Sequence, residues 1–340
     1  MFKRTAAAGE YAVRGLTAAD LDAVVAIDAA IEGRTRREYL ERRLQSALRE
    51  PKQHAQFGAT DEQGLAGYLL ARLVQGEFGR SEPSLRIEIV GVRPALHGRG
   101  IGRRLFDALT AWGRKHGAVE VRTAATWQRT DILGWLDDLG FQLAPTHVVE
   151  CHVNGSPLYA ERHGPLVSEI GEGPGNEIDF GRNEANDQER FARHGADIRA
   201  MTSADLDPVV RIDRDLTRQN RRDYFAARLA EAEQDKSIRV SLVALCDGVV
   251  VGFVMARADL GDFGRAQPVA VLDTLGVDPA YAHRGIGHAL LSQLFANLGA
   301  LRVETVETAV PNRDLGLLGF MYSAGFTDAP RLVFSRRLEG

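Results

Sequence analysis

Two cysteines in 340 residues cannot build a disulfide framework. Cys151 and Cys246 stand singly in strand-like runs, with no second Cys nearby. That spacing suggests neither a zinc site nor a redox pair, and favours buried, reduced thiols of the kind a cytoplasm keeps. Long hydrophobic runs are also missing. No apolar stretch approaches the ~20 residues that cross a bilayer. Met1 to Glu10 lacks the apolar centre of a secretion signal. A cytoplasmic protein with no membrane partner is therefore expected. Positive charge is not in excess either: 42 Lys and Arg stand against 46 Asp and Glu, a formal net charge of −4. That balance argues against a general nucleic-acid binder. What the chain does have is length and apolar content for two packed cores, with 44% hydrophobic residues in 340.

One short stretch occurs twice. The first copy runs Val92-Arg93-Pro94-Ala95-Leu96-His97-Gly98-Arg99-Gly100-Ile101-Gly102, the second Val277-Asp278-Pro279-Ala280-Tyr281-Ala282-His283-Arg284-Gly285-Ile286-Gly287. Each follows a strand-like run (87–92 and 269–277) and precedes a helix-like run (103–115 and 288–298). A strand, a glycine turn and a helix N-terminus form an anion site, because the first helical N–H groups have no partner in the helix and the peptide dipoles favour negative charge there. Glycine lets the backbone approach the anion closely. The same turn could also merely cap a helix. The third glycine of G-x-G-x-x-G is absent, since Leu105 and Leu290 stand where it would be, and so is the Gly-Lys-Ser/Thr of a P-loop.

The pattern resembles Q/R-x-x-G-x-G/A, the acetyl-CoA pyrophosphate loop of the GNAT N-acetyltransferase superfamily. The V-x-P lead-in and the amphipathic helix after G-I-G resemble it too. His97 and Ala282 depart from the motif at its first position. The offset from Gly100 to Gly285, 185 residues, aligns the rest of the chain without gaps. It places Val13–Asp22 on Ile198–Asp207, Arg36-Arg37-Glu38-Tyr39 on Arg221-Arg222-Asp223-Tyr224, Phe78-Gly79 on Phe263-Gly264, Glu88 on Asp273, and Gly140-Phe141 on Gly325-Phe326. A whole domain has been duplicated, with a unit too long for a solenoid repeat. Each copy reads β-α-α-β-β-β-α-β-α-β-β, the order of a GNAT domain. In the first copy Thr17 is read as a helix cap with Asp20 three residues on. The expected fold is α+β: two GNAT domains, each a mixed, mostly antiparallel splayed sheet flanked by helices. The expected division is 1–153, a linker at 154–195, and 196–340. The linker is rich in Gly, Glu, Asp and Asn around Gly171–Glu177. Gln188–Phe191 is read as a possible short helix within it, and His163 and His194 carry no chemical pattern.

The resemblance implies acetyl-CoA as co-substrate, no metal, and a small-molecule or peptide amine as acceptor. It places the CoA contacts at Val92, Arg99, Gly100, Ile101, Gly102 and Arg103, at Val277, Arg284, Gly285, Ile286, Gly287 and His288, and at Asn312. A backbone N–H at a bulge near Gly91-Val92 and Gly276-Val277 would stabilise charge on the thioester oxygen. Glu88 and Asp273 lie four residues before Val92 and Val277. They are candidate bases, or else carboxylates paired with a nearby arginine such as Arg37 or Arg222. The family's tyrosine acid would fall at Leu136 and Met321, and Tyr322 lies one residue further on. Arg37, Tyr39, Arg222 and Tyr224 fall where the family shapes its acceptor site, and the arginines could bind an acceptor carboxylate or phosphate. Tyr322 and Asn312 favour the second copy as the main catalytic unit, while a non-catalytic acyl-CoA-binding module remains the alternative. The sequence leaves the oligomeric state open.

Overall fold

The computed structural model describes residues 11–74, 82–159, 196–234, 239–260 and 268–338. Gly171–Glu177, Gln188–Phe191, His163, His194 and the Phe-Gly pairs at 78–79 and 263–264 lie outside the described residues.

The first copy contains β1 (Ala12–Gly15), α1 (Leu21–Glu32), α2 (Arg37–Arg49), β2 (His54–Asp61), β3 (Gly64–Val74), β4 (Ser84–Val92), α3 (Ile101–Lys115), β5 (Glu120–Thr126), α4 (Thr130–Asp138), β6 (Gln142–Leu143) and β7 (Thr146–His152). The second repeats the order with β8 (Asp197–Ala200), α5 (Leu206–Thr217), α6 (Arg222–Gln234), β9 (Arg239–Cys246), β10 (Val249–Leu260), β11 (Pro268–Val277), α7 (Ile286–Ala300), β12 (Thr305–Pro311), α8 (Leu315–Ser323), β13 (Thr327–Asp328) and β14 (Arg331–Arg337).

Local chemistry fixes the entry to each copy. Asp20 accepts from the Thr17 backbone N–H at 2.8 Å and is gripped by both terminal nitrogens of Arg14. Thr202, Asp205 and Arg199 repeat the arrangement. This capping box satisfies N–H groups that the first turn leaves orphaned. In α3, Ile101, Leu105, Phe106 and Leu109 share the buried face, and Ile286, Leu290, Leu294 and Leu298 do so in α7.

The described residues form two seven-stranded sheets, ordered β1-β2-β3-β4-β5-β14-β6 and β13-β7-β12-β11-β10-β9-β8. The sequence predicts for each copy a final strand pair of its own; the structure keeps β6 and β13 in their own sheets and exchanges β7 and β14. β14 runs antiparallel along β5 from Arg331 opposite Thr126 to Arg337 opposite Glu120. β7 runs antiparallel along β12 from His152 opposite Thr305 to Thr146 opposite Pro311. The chain crosses between sheets at Ala144-Pro145 and again at Ala329-Pro330, the same dipeptide at the repeat offset. A proline holds its predecessor extended and carries no N–H for a tight hairpin, so the chain runs on into the other sheet.

Both sheets splay at equivalent places. β4 pairs in parallel with β5 only over Ser84–Arg86, and β11 with β12 only over Val269–Val271. The bulge in β4 is not at Gly91-Val92. Leu70 pairs with Ile89 and Ala71 with Ile87, so Glu88 is the inserted residue, and Asp273 is inserted likewise between Leu272 and Thr274. Gly91 and Gly276 serve close packing instead. A Cβ at Gly91 would stand 2.6 Å from the Tyr68 ring, and one at Gly276 2.7 Å from the Phe253 ring. No helix among the described residues is long and apolar enough to cross a membrane. Cys151 is buried, and burial pushes its thiol up to about 11.

Candidate active site

Each copy encloses a cavity between the open arm of the splay and the glycine turn. The first is about 500 Å³. Its floor is the end of β4 at Ile89–Val92, and the turn from Leu96 to Arg103 closes one end. Asp28, Ile31 and Glu32 of α1 form one wall, and Ile132, Trp135 and Asp138 of α4 another. The second, about 540 Å³, is bounded by Thr274–Val277, the turn from Tyr281 to His288, Leu216 and Thr217 of α5, and Phe320 of α8.

The turn is built as an anion cradle. Gly100 caps α3 with φ 78°, a left-handed conformation, and Gly285 caps α7 with the same φ. The first helical hydrogen bonds run from Arg104 N–H to the Gly100 carbonyl at 3.1 Å and from Ala289 N–H to the Gly285 carbonyl at 3.0 Å. The N–H groups of Ile101, Gly102 and Arg103, and of Ile286, Gly287 and His288, therefore lie ahead of the helical ladder. The glycine after the cap admits an aromatic wall. A Cβ at Gly102 would meet Trp135 Nε1 at 2.6 Å, and one at Gly287 would meet the Phe320 ring at 3.0 Å. Trp135 Nε1 is a buried donor with no hydrogen-bond partner. The anion cradle at the end of each cavity fits a phosphate-bearing cofactor such as CoA.

Charge distinguishes the two cavities. In both, a buried aspartate holds a buried arginine: Asp28 accepts from Arg36 at 2.8 Å and from the Tyr68 hydroxyl at 2.9 Å, and Asp213 accepts from Arg221 Nε at 2.9 Å. Burial, reinforced by the Asp28 charge, pushes the Tyr68 hydroxyl well above the usual phenol range. The first cavity carries further ion pairs, in which Arg129 at the start of α4 lies 3.4 Å from Glu32 on α1 and 3.1 Å from Asp131. The offset puts Thr217 and Asp314 at the positions of Glu32 and Arg129 in the second copy.

The structure brings Val92, Gly100, Ile101, Gly102 and Arg103 together around the first cavity, and Val277, Gly285, Ile286, Gly287 and His288 around the second. Other expected residues go elsewhere. Arg99 and Asn312 are not among the residues lining either cavity, and Arg284 lies over the Tyr281 ring. Glu88 and Asp273 line neither cavity. Glu88 is 2.8 Å from Arg43 and 3.7 Å from Arg72, and Asp273 is 2.9 Å from Arg257, so the paired alternative is realised with arginines other than Arg37 and Arg222. Those two reach Asp22 and Asp207 on the surface. Tyr39 and Tyr224 are buried beneath arginine side chains, Arg36 and Arg43 over one and Arg221 and Arg228 over the other. Tyr322 does not face the second cavity. Its hydroxyl bonds Asp328 and lies 3.3 Å from His147, on an exposed face, because one residue along α8 turns the side chain by about 100°.

Sequence reasoning missed Asp28, Glu32, Arg129 and Trp135. Asp28 and Arg36 recur as Asp213 and Arg221 at the repeat offset, a signal that could have paired them. Glu32, Arg129 and Trp135 do not recur, and nothing local marks them.

The profile of the acetyltransferase (GNAT) family matches the chain twice, over residues 21–132 and 206–326. This chain belongs to the acetyltransferase (GNAT) family. Both matched stretches contain a glycine turn and the splayed strand before it, so the tandem arrangement is one of two GNAT repeats. Solved structures share the architecture. A tandem GNAT protein from the clavulanic acid biosynthesis pathway is 16% identical, with a TM-score of 0.62 over 97% of this chain and 99% of that one. A glucosamine N-acetyltransferase region of a fungal multi-domain β-N-acetylglucosaminidase is 14% identical, with a TM-score of 0.63 over 97% of this chain, which spans 38% of that protein. Saccharomyces cerevisiae N-myristoyltransferase with bound myristoyl-CoA is 14% identical, with a TM-score of 0.55 over 98% of this chain and 79% of that one. At such identities the likeness is one of fold.

Proposed function

We propose that this GNAT protein transfers a short acyl group, acetyl foremost, from its CoA thioester directly to the nitrogen of a primary amine on a small molecule or peptide. The observation that carries the reading is the continuous cavity in each repeat, running from the N-terminus of α3 or α7 to the free arm of the splayed strand. The N–H groups of Ile101–Arg103, and of Ile286–His288, would hold the pyrophosphate. The splay leaves the β5-facing backbone of Ile87–Val92 without a strand neighbour, and an N–H there would meet charge developing on the thioester oxygen. In the transfer the carbon–sulfur bond breaks, the carbon–nitrogen bond forms, and the amine gives up a proton. An amine near its ordinary pKa of ~10.4 needs a group to take that proton.

The first repeat is assigned as the catalytic one, and Glu32 as its proton acceptor. Glu32 lines the cavity and is 15% exposed on its side chain. Glu88 and Asp273 are assigned to buried ion pairs inside their own repeats, and Tyr322 to the surface. The test measures CoA release from acetyl-CoA with a library of primary amines. Turnover with at least one amine, lowered in Glu32→Gln at unchanged CoA affinity, is expected. CoA binding without turnover on any amine would make the chain an acyl-CoA-binding module.

A further inference from the structure

A third cavity, about 80 Å³, lies between the two sheets, where both splays begin. Its walls come from both repeats: Arg86, Arg122 and Thr123 from one side, Asp273, Glu307 and Thr308 from the other. The exchanged strands close it, β7 through Val148 and β14 through Arg331 and Val333. Its volume admits several waters, or one small oxyanion.

The pseudo-symmetry is broken here. The repeat offset relates Arg122 and Thr146 to Glu307 and Arg331. In the first pair Arg122 lies 3.4 Å from the Thr146 hydroxyl; in the second Arg331 donates from Nη1 to both Glu307 oxygens, at 3.0 and 2.9 Å. Arg331 is 3% exposed on its side chain, and its Nη2 is buried with no hydrogen-bond partner. A charged donor held out of water with a bond unmade is unfavourable, and native proteins rarely keep one without a use. The carboxylates of the chamber do not complete it. Glu307 is engaged by Nη1, and Asp273 lies 2.9 Å from Arg257.

We propose that this chamber binds a small carboxylate group through the unpaired Nη2 of Arg331. Guanidinium and carboxylate match in shape and charge, and the chamber admits a carboxylate with little else attached. The chamber lies at the root of the splay, and the acyl cavities lie along its open arms. The carboxylate is therefore assigned to the acceptor, which becomes an amine carrying a carboxylate on a short chain. That last step rests on the proposed transfer reaction; the binding of a carboxylate does not.

Acetate is the probe. The full chain is titrated calorimetrically with acetate against chloride of equal ionic strength. Saturable binding is expected in the wild type. Arg331→Lys keeps a cation beside Glu307 but removes the second donor, and should weaken acetate at least tenfold. Val148→Leu fills the chamber from its apolar wall without touching a charge, and should weaken acetate comparably. Both variants should keep wild-type affinity for CoA, whose cavities are elsewhere. No saturable acetate binding in the wild type overturns the proposal, as does wild-type acetate affinity in either folded variant. If Arg331→Lys does not fold, Val148→Leu decides. A second arm compares β-alanine with propylamine as acceptors for acetyl-CoA. Faster turnover of β-alanine, lost in Arg331→Lys, supports the acceptor assignment, and equal rates overturn it. If neither amine is acylated, the acceptor assignment fails for this class, and the acetate arm still decides the site.

Discussion

Glu88 sits in a strand at the one position where the ladder skips a residue, and it is 2% exposed. Burial pushes its carboxyl up, but the guanidiniums of Arg43 and Arg72 outweigh that and hold it at about 2, below its ordinary 4.5. A carboxylate held so low keeps its charge at neutral pH and has little affinity for an amine's proton, which suits an ion pair better than a base. The linkage follows from the sign of the shift. A carboxylate depressed in the folded state adds stability above its unfolded value, and that stability fades as pH falls from about 4.5 toward 2. Thermal unfolding of Glu88→Gln across pH 6 to 2 should therefore show a flatter acid limb than the wild type. Glu88→Ala leaves buried arginines without their counter-charge and should destabilise by about 3–5 kcal/mol, read from denaturant unfolding at pH 7. Glu32 also faces guanidiniums, Arg129 at 3.4 Å and Arg36 at 4.0 Å, but it lines the cavity where Glu88 does not. Glu32→Gln should lower turnover by roughly 10²-fold while leaving stability and CoA affinity close to wild type.

At the scale of the element, the glycine turn is the part most exposed to substitution. Gly100 has open space where a Cβ would stand, yet φ of 78° there and at Gly285 makes any side chain strained. Gly100→Val should abolish CoA binding to the first repeat and with it most turnover. Gly285→Val should remove only a second, non-catalytic binding event. Calorimetric stoichiometry beside a rate assay separates the two, and loss of turnover in Gly285→Val alone would reverse the assignment of the catalytic repeat. These turns were legible in the sequence because glycine spacing, the apolar strand before and the amphipathic helix after all act over a few neighbouring residues. So was the cap at Thr17, where Asp20 is three residues away. The bulge was legible only in part. A carboxylate in an apolar strand marked Glu88 as unusual, but its partner Arg43 comes from a helix 45 residues earlier. The pairing of Glu32 with Arg129 spans 97 residues and is absent from the other repeat, so neither periodicity nor duplication could disclose it.

Across the whole molecule, the exchange of β7 and β14 was the least legible feature. Its only local trace is Ala-Pro at 144–145 and 329–330, and proline excludes a hairpin without naming the destination of the next strand. With the exchange in place, the two sheets are not separable units. A chain truncated before Arg331 should lose order in the first sheet as well as the second. Hydrogen exchange at the β5 amides, Glu120–Thr126, checks this, and wild-type protection there in the truncated chain would contradict it. The exchange also sets a timetable for synthesis. β5 and β6 are made early, but the strand that belongs between them ends at Arg337. At ribosomal rates of about 5–20 residues per second, roughly 10–40 s pass with that slot unfilled and a strand edge open on each side. The nascent first repeat is therefore expected to be a client of whatever shields exposed strand edges near the ribosome, until the last strand emerges and the two halves mature together.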